Sequence, residues 1–168
     1  MTPVTCAGAT MLLPEGYSLT AAADATLSAV NPSGDFLQLQ VRPSNLPGPM
    51  LSLLRHNRAQ FLQILGAQAP ALLSQAVAAE AAKYSNAPLV PPVQLEPIDS
   101  QVVLLPAGST LFLSTQFEIR GARRTLVLWL LAPDSLKSFY VLSLSALAPL
   151  AEVQSLMAPV LDSLRLQA

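Results

Sequence analysis

The fold is decided by the stretch "TLFLSTQFEIRGARRTLVLWLL", residues 110–131. Its first half alternates: the odd-numbered residues from 111 to 119 share one face, and mostly polar residues share the other. After Gly121 the pattern changes, and residues 126–131 are apolar at every position. Alternation is typical of a strand with one face in water, whereas a continuous apolar run is typical of a strand buried on both faces. The stretch therefore predicts a β-hairpin whose second strand lies in the middle of a sheet.

The same patterns outside the hairpin predict further strands and two groups of helices. "FLQLQVR", residues 36–42, alternates cleanly, with Gln38, Gln40 and Arg42 facing outward. The predicted strands are residues 9–19, with a turn at Pro14-Glu15-Gly16, and residues 24–31, 36–42, 100–105, 110–120, 123–132 and 138–146. The predicted helices are residues 50–66, 71–84 and 149–166, with Pro159 expected to kink or split the last one. The order ββ(β)–αα–ββββ–α predicts an α+β fold in which helices pack on an antiparallel sheet of about six strands.

A chain of 168 residues is expected to form one domain, residues 1–168. The proline-rich stretch at about residues 85–98 is expected to be an extended connector within that domain, because proline fits neither a helix interior nor a central strand.

Composition excludes some classes of partner and location. Charged residues make up only 11% of the chain and the net charge is −1, so there is no electrostatic footprint for nucleic acid. No apolar run reaches the roughly 18 residues that a transmembrane helix needs. The first 16 residues contain no Lys or Arg and no signal-peptide core, so a cytoplasmic location is expected. Export, or lipid anchoring at Cys6, would apply only if the natural chain begins further upstream.

The sequence offers little material for catalysis. Its one histidine, His56, lies between Arg55 and Asn57, where a solvated side chain is expected. Its one cysteine, Cys6, has no basic neighbour in sequence to lower its pKa. The carboxylates are scattered, and no nucleotide-binding or nucleophile motif occurs. We therefore expect no enzyme activity, no cofactor and no metal site.

Four aromatic residues on neighbouring predicted strands are the candidate partner-binding residues: Phe112, Trp129, Phe139 and Tyr140. Tyr and Trp suit partly exposed apolar sites because each keeps a polar group. Three interpretations stay open: the four line a groove for a partner, they belong to the core under the helices, or they line a pocket for a lipophilic ligand.

Two short motifs give the chain a family resemblance. "LLPEGYSL", residues 12–19, and "VLDSLRL", residues 160–166, resemble the early strand and the closing helix of a superfamily of α/β/α sandwich domains. That superfamily includes PsbP of photosystem II, the nuclear-import Ran-binding protein, bacterial DcrB-type proteins, LpqN-type lipoproteins and the Eag chaperones of type VI secretion. Tyr17 and Leu164 depart from the usual Trp and Phe of these motifs. The motifs carry no catalytic residues.

The resemblance implies a non-enzymatic, bacterial-type domain that binds another macromolecule through the face or edge of its sheet. The first hypothesis is a protein-binding or chaperone-like adaptor that shelters an apolar segment and can form a homodimer. The second is a carrier of a lipophilic small molecule, which predicts an enclosed cavity. The third is a hydrolase-like enzyme, which predicts a cleft where His56 or Cys6 meets a carboxylate.

Overall fold

The computed structural model describes residues 2–6, 8–23, 25–43, 46–81, 98–119, 121–132 and 138–166. The strands are β1 (Thr2–Cys6), β2 (Ala9–Leu13), β3 (Ser18–Ala22), β4 (Thr26–Val30), β5 (Phe36–Pro43), β6 (Asp99–Leu105), β7 (Gly108–Ile119), β8 (Ala122–Leu131), β9 (Ser138–Ala146) and β10 (Arg165–Leu166). The helices are α1 (Gly48–His56), α2 (Arg58–Gly66), α3 (Ala69–Ala81) and α4 (Leu150–Ser163).

The described strands form two antiparallel sheets. The large one has seven strands in the order β3-β4-β5-β9-β8-β7-β6, and the small one has three in the order β1-β2-β10. The α+β class predicted from the sequence is confirmed, with more strands than expected. Strand β5 pairs with β9, about a hundred residues later in the chain, so the two halves of the sequence share one sheet.

The large sheet lies between two covering layers. On one side, here called the helix face, it packs against α1, α2 and α3; on the other, the closed face, it packs against α4 and the small sheet. Strand β8 shows why its sequence is apolar throughout: Leu126 and Leu128 belong to the core of the helix face, whereas Val127 and Trp129 belong to that of the closed face. The central position predicted for this strand is confirmed.

The turn predicted at Pro14-Glu15-Gly16 separates β2 from β3, and Gly16 adopts φ +86° there. In the helices the boundaries differ from the predicted ones. The predicted helix 50–66 divides at Asn57, whose side chain accepts a hydrogen bond from the Gln60 N–H at 3.1 Å and so caps α2. Helix α4 runs unbroken through Pro159.

The sequence patterns missed one element, strand β1 (Thr2–Cys6). Tyr84 and most of the proline-rich connector lie outside the described residues. The single-domain organisation stays a prediction.

The two edges of the large sheet are unlike each other. Strand β3 has five exposed residues, and its pairing with β4 shifts register between Leu19 and Ala21. Strand β6 pairs with β7 in continuous register over all seven of its residues, from Asp99 to Leu105. A register shift of this kind is a common way to blunt a sheet edge, and only β3 has one.

Candidate functional site: a groove beside helix α3

The four aromatic residues singled out in the sequence do not line a common groove. Phe112, Trp129 and Tyr140 lie in the core of the closed face, where Trp129 is 3% exposed. The rings of Phe112 and Trp129 are in contact, with centroids 5.4 Å apart. Phe139 packs on the helix face, where its ring stacks on Phe61 at 6.1 Å. Of the three interpretations, burial in the core is therefore the one that fits Phe112, Trp129 and Tyr140.

Strand geometry explains this separation. Phe139 and Tyr140 are consecutive residues of β9, and consecutive strand residues point to opposite faces of a sheet. Phe112 and Trp129 are direct cross-strand partners, so they point to the same face. A groove lined by all four side chains is incompatible with this register, and that part of the sequence interpretation is wrong.

A different concave site lies on the helix face. Helix α2 packs against β6 and β7, and α3 packs against β7. Between α3 and strand β5 the surface dips into a groove of about 220 Å³, here called the α3 groove. Its lining residues are Gln38, Gln40, Arg42, Leu72, Gln75, Ala76, Ala79, Glu80, Leu126, Leu128, Leu130, Val141 and Ser143.

The α3 groove has an apolar floor and two unlike walls. Its floor consists of alternate residues of β8, the leucines at 126, 128 and 130, together with Val141 of β9. Leu72, Ala76 and Ala79 of α3 are the apolar part of one wall. The other wall is the outward-facing side of β5, which is polar.

The polar wall is a chain of hydrogen bonds. Arg42 donates to Gln40 Oε1 from Nε at 3.1 Å and from Nη2 at 2.7 Å. Gln40 Nε2 donates to Gln38 Oε1 at 2.8 Å, and Gln38 Nε2 donates to Ser28 Oγ at 3.4 Å. Because the amides of Gln38 and Gln40 already bind neighbouring side chains, a partner that covers them leaves few of their polar atoms unsatisfied.

Sequence reasoning identified the wall residues as outward-facing but missed the groove. The missing information is the strand order: β5 meets the apolar strand β8 only across β9. The one usable signal was the polar outer face of "FLQLQVR" combined with the apolar run at residues 126–131.

A second polar cluster lies where the β4–β5 turn meets the end of β9. Arg124 donates to Ser145 Oγ at 3.0 Å and to the Ser145 carbonyl at 3.1 Å, and its Nη2 lies 3.7 Å from Asp35 Oδ1. The Asp35 carboxylate also accepts hydrogen bonds from the Leu147 N–H and from Asn31 Nδ2, each at 3.0 Å. Buried charges of this kind are retained when they are paired, and here they hold the turn against the sheet.

Tyr17 lies beside this cluster. Its hydroxyl is buried and has no hydrogen-bond partner among the described residues. Burial, with a further contribution from the negative charge of Asp35, raises the pKa of Tyr17 to about 12, and Arg124 acts in the opposite direction. These contacts hold the β4–β5 turn in place, and the cluster is here called the polar lock. The α3 groove remains the candidate site.

The two candidate reactive side chains lie on opposite sides of the large sheet. His56 is exposed at the end of α1, in the layer on the helix face. Cys6 is buried in the core of the closed face, and that burial raises the pKa of its thiol. Among the residues that the structure describes, no three His, Cys, Asp or Glu side chains are grouped so as to hold a metal ion.

Within the described ranges, no single helix is long and apolar enough to cross a membrane. Helix α2 and most of α3, which meet at a bend of 69°, pass the same length and composition criteria only as a pair.

Comparison with known proteins relates the chain to others through its fold. No protein-family model and no curated protein matches the sequence. The structure of LpqN, a Mycobacterium tuberculosis protein involved in cell envelope biogenesis, aligns with a TM-score of 0.53 and 16% identity, over 99% of this chain and 90% of LpqN. The Saccharomyces cerevisiae Ran-binding protein Mog1p aligns with a TM-score of 0.55 and 8% identity, over 95% of this chain and 90% of Mog1p. The chain has the fold of these two proteins.

A third structure, of a Bacteroides thetaiotaomicron protein, aligns with a TM-score of 0.55 and 10% identity. The alignment covers 96% of this chain but only 46% of that protein, so this chain spans about half its length. The superfamily that the two sequence motifs resemble includes LpqN-type lipoproteins and the Ran-binding protein. That part of the resemblance is confirmed at the level of fold.

Proposed function

We propose that the protein is a non-enzymatic, protein-binding adaptor of the LpqN-like and Mog1-like type, which holds an apolar segment of another polypeptide in the α3 groove. The observation that carries the proposal is the apolar floor of this groove beside a polar wall whose groups already bind one another. An apolar segment gains free energy by covering Leu130 and Val141, the floor residues that are partly exposed, and covering the two glutamines of the wall adds little desolvation cost.

The size of the groove favours side chains of a protein over a small molecule. Sites for small molecules enclose about 300–1,000 Å³ and bury most of the ligand. The α3 groove has about 220 Å³, and exposed residues such as Gln75 and Ala79 line it, so it opens to solvent. A carrier would instead need an enclosed cavity.

The sheet beneath the groove favours a helical segment. Strands β5 and β9 are interior strands, so their backbone groups are paired with neighbouring strands on both sides. An extended segment would find no main-chain partners there, whereas a helix satisfies its own backbone. Packed helices lie about 8–10 Å apart, or about two strand spacings of about 4.8 Å, so a helix beside α3 would lie over β9.

Charge indicates which side chain the segment would carry. Arg42 is exposed at the groove, and within the described part of the chain it has no acidic partner. The acid on the α3 wall, Glu80, is buried and has an interaction of its own. A partner with an acidic residue at the Arg42 end of its apolar stripe would complement this cation.

The fold neighbours agree with a binding role. Mog1p is described as a Ran-binding protein, and LpqN as a protein of cell envelope biogenesis. We extend only the general property of binding another protein to this chain. Neither the partner of Mog1p nor the process that involves LpqN is carried over.

The test fills the groove and compares the result with a matched control. Ala79→Trp places a large side chain in the groove, and Ala78→Trp places the same side chain on the neighbouring exposed position that does not line it. Both variants should keep the wild-type melting temperature to within a few degrees. Pull-downs from the native host should recover the same polypeptide with the wild type and Ala78→Trp but not with Ala79→Trp.

Retention of that polypeptide by Ala79→Trp would overturn the proposed site. A co-purifying lipid that is lost from Ala79→Trp, with no polypeptide recovered, would support the carrier function in place of the adaptor.

A further inference from the structure

Arg42 is held in one orientation at the end of the polar wall. Its side chain is exposed, and its Nε and Nη2 groups both donate to Gln40 Oε1, at 3.1 Å and 2.7 Å. Gln40 is held in turn, because its Nε2 donates to Gln38 Oε1 at 2.8 Å. Two hydrogen bonds to one oxygen fix the plane of the guanidinium group, so Gln40 orders a side chain that otherwise has many rotamers.

This orientation leaves one edge of the guanidinium group open. The group carries its five N–H donors in a rigid fork, and Gln40 occupies the edge formed by Nε and Nη2. The other edge consists of Nη1 and the second N–H of Nη2, and no described residue accepts a hydrogen bond from Nη1. Two parallel N–H groups of this kind match the two oxygens of a carboxylate, which arginine binds bidentately.

A second exposed arginine shows a similar arrangement with an acid beside it. Arg123 Nε donates to Gln116 Oε1 at 2.6 Å, and Arg123 lies directly opposite Glu118 in the pairing of β7 with β8. An acid opposite a cation stabilises a pair of strands. Arg42 lies opposite Phe139 of β9 instead, and it has no acidic partner among the described residues. The acid at Arg42 must therefore come from another molecule.

The charges in the α3 groove favour a carboxylate. Of the residues that line the groove, only Arg42 and Glu80 are charged. A single arginine is matched by a single carboxylate, whereas a phosphate group, with about two negative charges, would leave one of them uncompensated. A segment that covered Arg42 with apolar atoms alone would remove its charge from water without a partner, which costs free energy.

We propose that Arg42 is a carboxylate anchor, oriented by Gln40, which selects helical segments that carry a Glu or Asp on their apolar face. The inference rests on the proposed function, because the selected segment is the one that the α3 groove holds. An acidic segment gains a charge-assisted pair of hydrogen bonds, and a segment without the acid leaves the guanidinium group unsatisfied. Arg42 thus acts on specificity, whereas the apolar floor acts on affinity.

The strand register sets the spacing between this acid and the apolar residues of the segment. Arg42 is opposite Phe139 in the pairing of β5 with β9, so Val141 of the groove floor is its diagonal neighbour, about 7–8 Å away. On one face of a helix, residues three or four apart have Cβ atoms about 5–6 Å apart. The acid should therefore lie three or four residues from the apolar residue that covers Val141.

A randomised library of helical peptides displayed on phage tests the anchor without a known partner. Peptides are selected on the wild type, and those that Ala79→Trp still binds are discarded, so that the remaining peptides need the groove. These should be enriched in Glu or Asp three or four residues from an apolar residue. The same selection on Arg42→Glu should instead enrich Lys or Arg at that position, because the charge of the anchor is reversed.

Fluorescence anisotropy then compares one selected peptide with a counterpart in which glutamine replaces the acid. The wild type should prefer the acidic peptide about tenfold, and Arg42→Gln should abolish this preference. Arg42→Lys, which keeps the charge but not the fork, and Gln40→Leu, which removes the orienting acceptor, should each reduce it to about threefold. Arg55→Gln changes an exposed arginine that does not line the groove, and it should leave the preference intact.

The outcomes separate the anchor from the proposed function. Groove-dependent peptides without an acidic residue, or an acidic preference that Arg42→Gln leaves intact, would overturn the anchor and leave the proposed function standing. An acidic preference that Gln40→Leu leaves at its wild-type value would show that Gln40 does not position Arg42. A library in which no peptide depends on the groove would overturn the proposed function, and the anchor with it.

Discussion

The two faces of the seven-stranded sheet are built from the same strands but have different covers. On the closed face, α4 and the small sheet cover apolar residues of β4, β5, β9, β8 and β7. On the helix face, the leucines of β7 and β8 lie in a core under helices, whereas Gln38 and Gln40 of β5 are half-exposed. The groove lies at the boundary between these two halves, so incomplete cover, and not aromatic content, marks the candidate site.

The largest expected effect separates the two faces. Trp129→Ala should lower the free energy of unfolding by about 3–5 kcal/mol, because the side chain fills the closed core and leaves a cavity. Val141→Ala, on the half-exposed floor of the groove, should cost only about 1 kcal/mol. Chemical denaturation of both variants measures the difference. Equal losses would mean that the groove floor is as closed as the core.

The next effect concerns the polar lock at the β4–β5 turn. Arg124→Met should cost about 3 kcal/mol, because it leaves the buried Asp35 carboxylate without its cation. Arg123→Met, which changes the exposed neighbouring arginine, should stay within about 0.5 kcal/mol. Urea unfolding at pH 7 compares the two. If both arginines tolerate the change equally, the ion pair does not hold the turn.

The lock also predicts a dependence on alkaline pH. The pKa of Tyr17 is about 12 in the folded protein and near 10 when it is unfolded. The folded state therefore keeps a proton that the unfolded state loses, and the stability from this group, complete below pH 10, is lost as the pH rises to 12.

Tyr17→Phe should lose about 2 kcal/mol less unfolding free energy than the wild type between pH 10 and 12. At pH 7 its unfolding free energy should differ from that of the wild type by at most about 1 kcal/mol. Thermal melts across that pH range, with the wild type alongside, measure both quantities. Parallel curves for the two proteins would show that Tyr17 titrates normally.

The smallest expected effect on stability belongs to the polar wall. Gln40→Leu breaks the hydrogen-bond chain between Arg42 and Gln38, but the side chain is half-exposed, so the melting temperature should change by at most a few degrees. Its effect should appear in partner retention, which we expect to fall. A marked loss of stability would instead make the wall part of the core.

The elements of this fold followed from local patterns, and the site did not. Periodicity located the strands at 100–105 and 138–146 and the central position of β8, because each depends on a few neighbouring residues. The division at Asn57 depends on one side-chain cap, and the groove depends on the pairing of β5 with β9. Pairings between distant parts of a chain leave little trace in either segment alone.

The aromatic candidates also separate what a local pattern predicts from what it does not predict. Phe112 and Trp129 are direct cross-strand partners, and this pairing could be inferred from the hairpin itself. Which face of that hairpin would be closed could not be inferred, since α4 and the small sheet come from the two ends of the chain.

The buried thiol of Cys6 has a practical consequence for every experiment above. Thiol-reactive reagents attack the thiolate, and a buried thiol with a raised pKa forms little of it at neutral pH. Because the chain has no second cysteine, one introduced at position 79 would take up a fluorophore or spin label almost alone. Contacts at the α3 groove can then be followed in the otherwise unaltered protein.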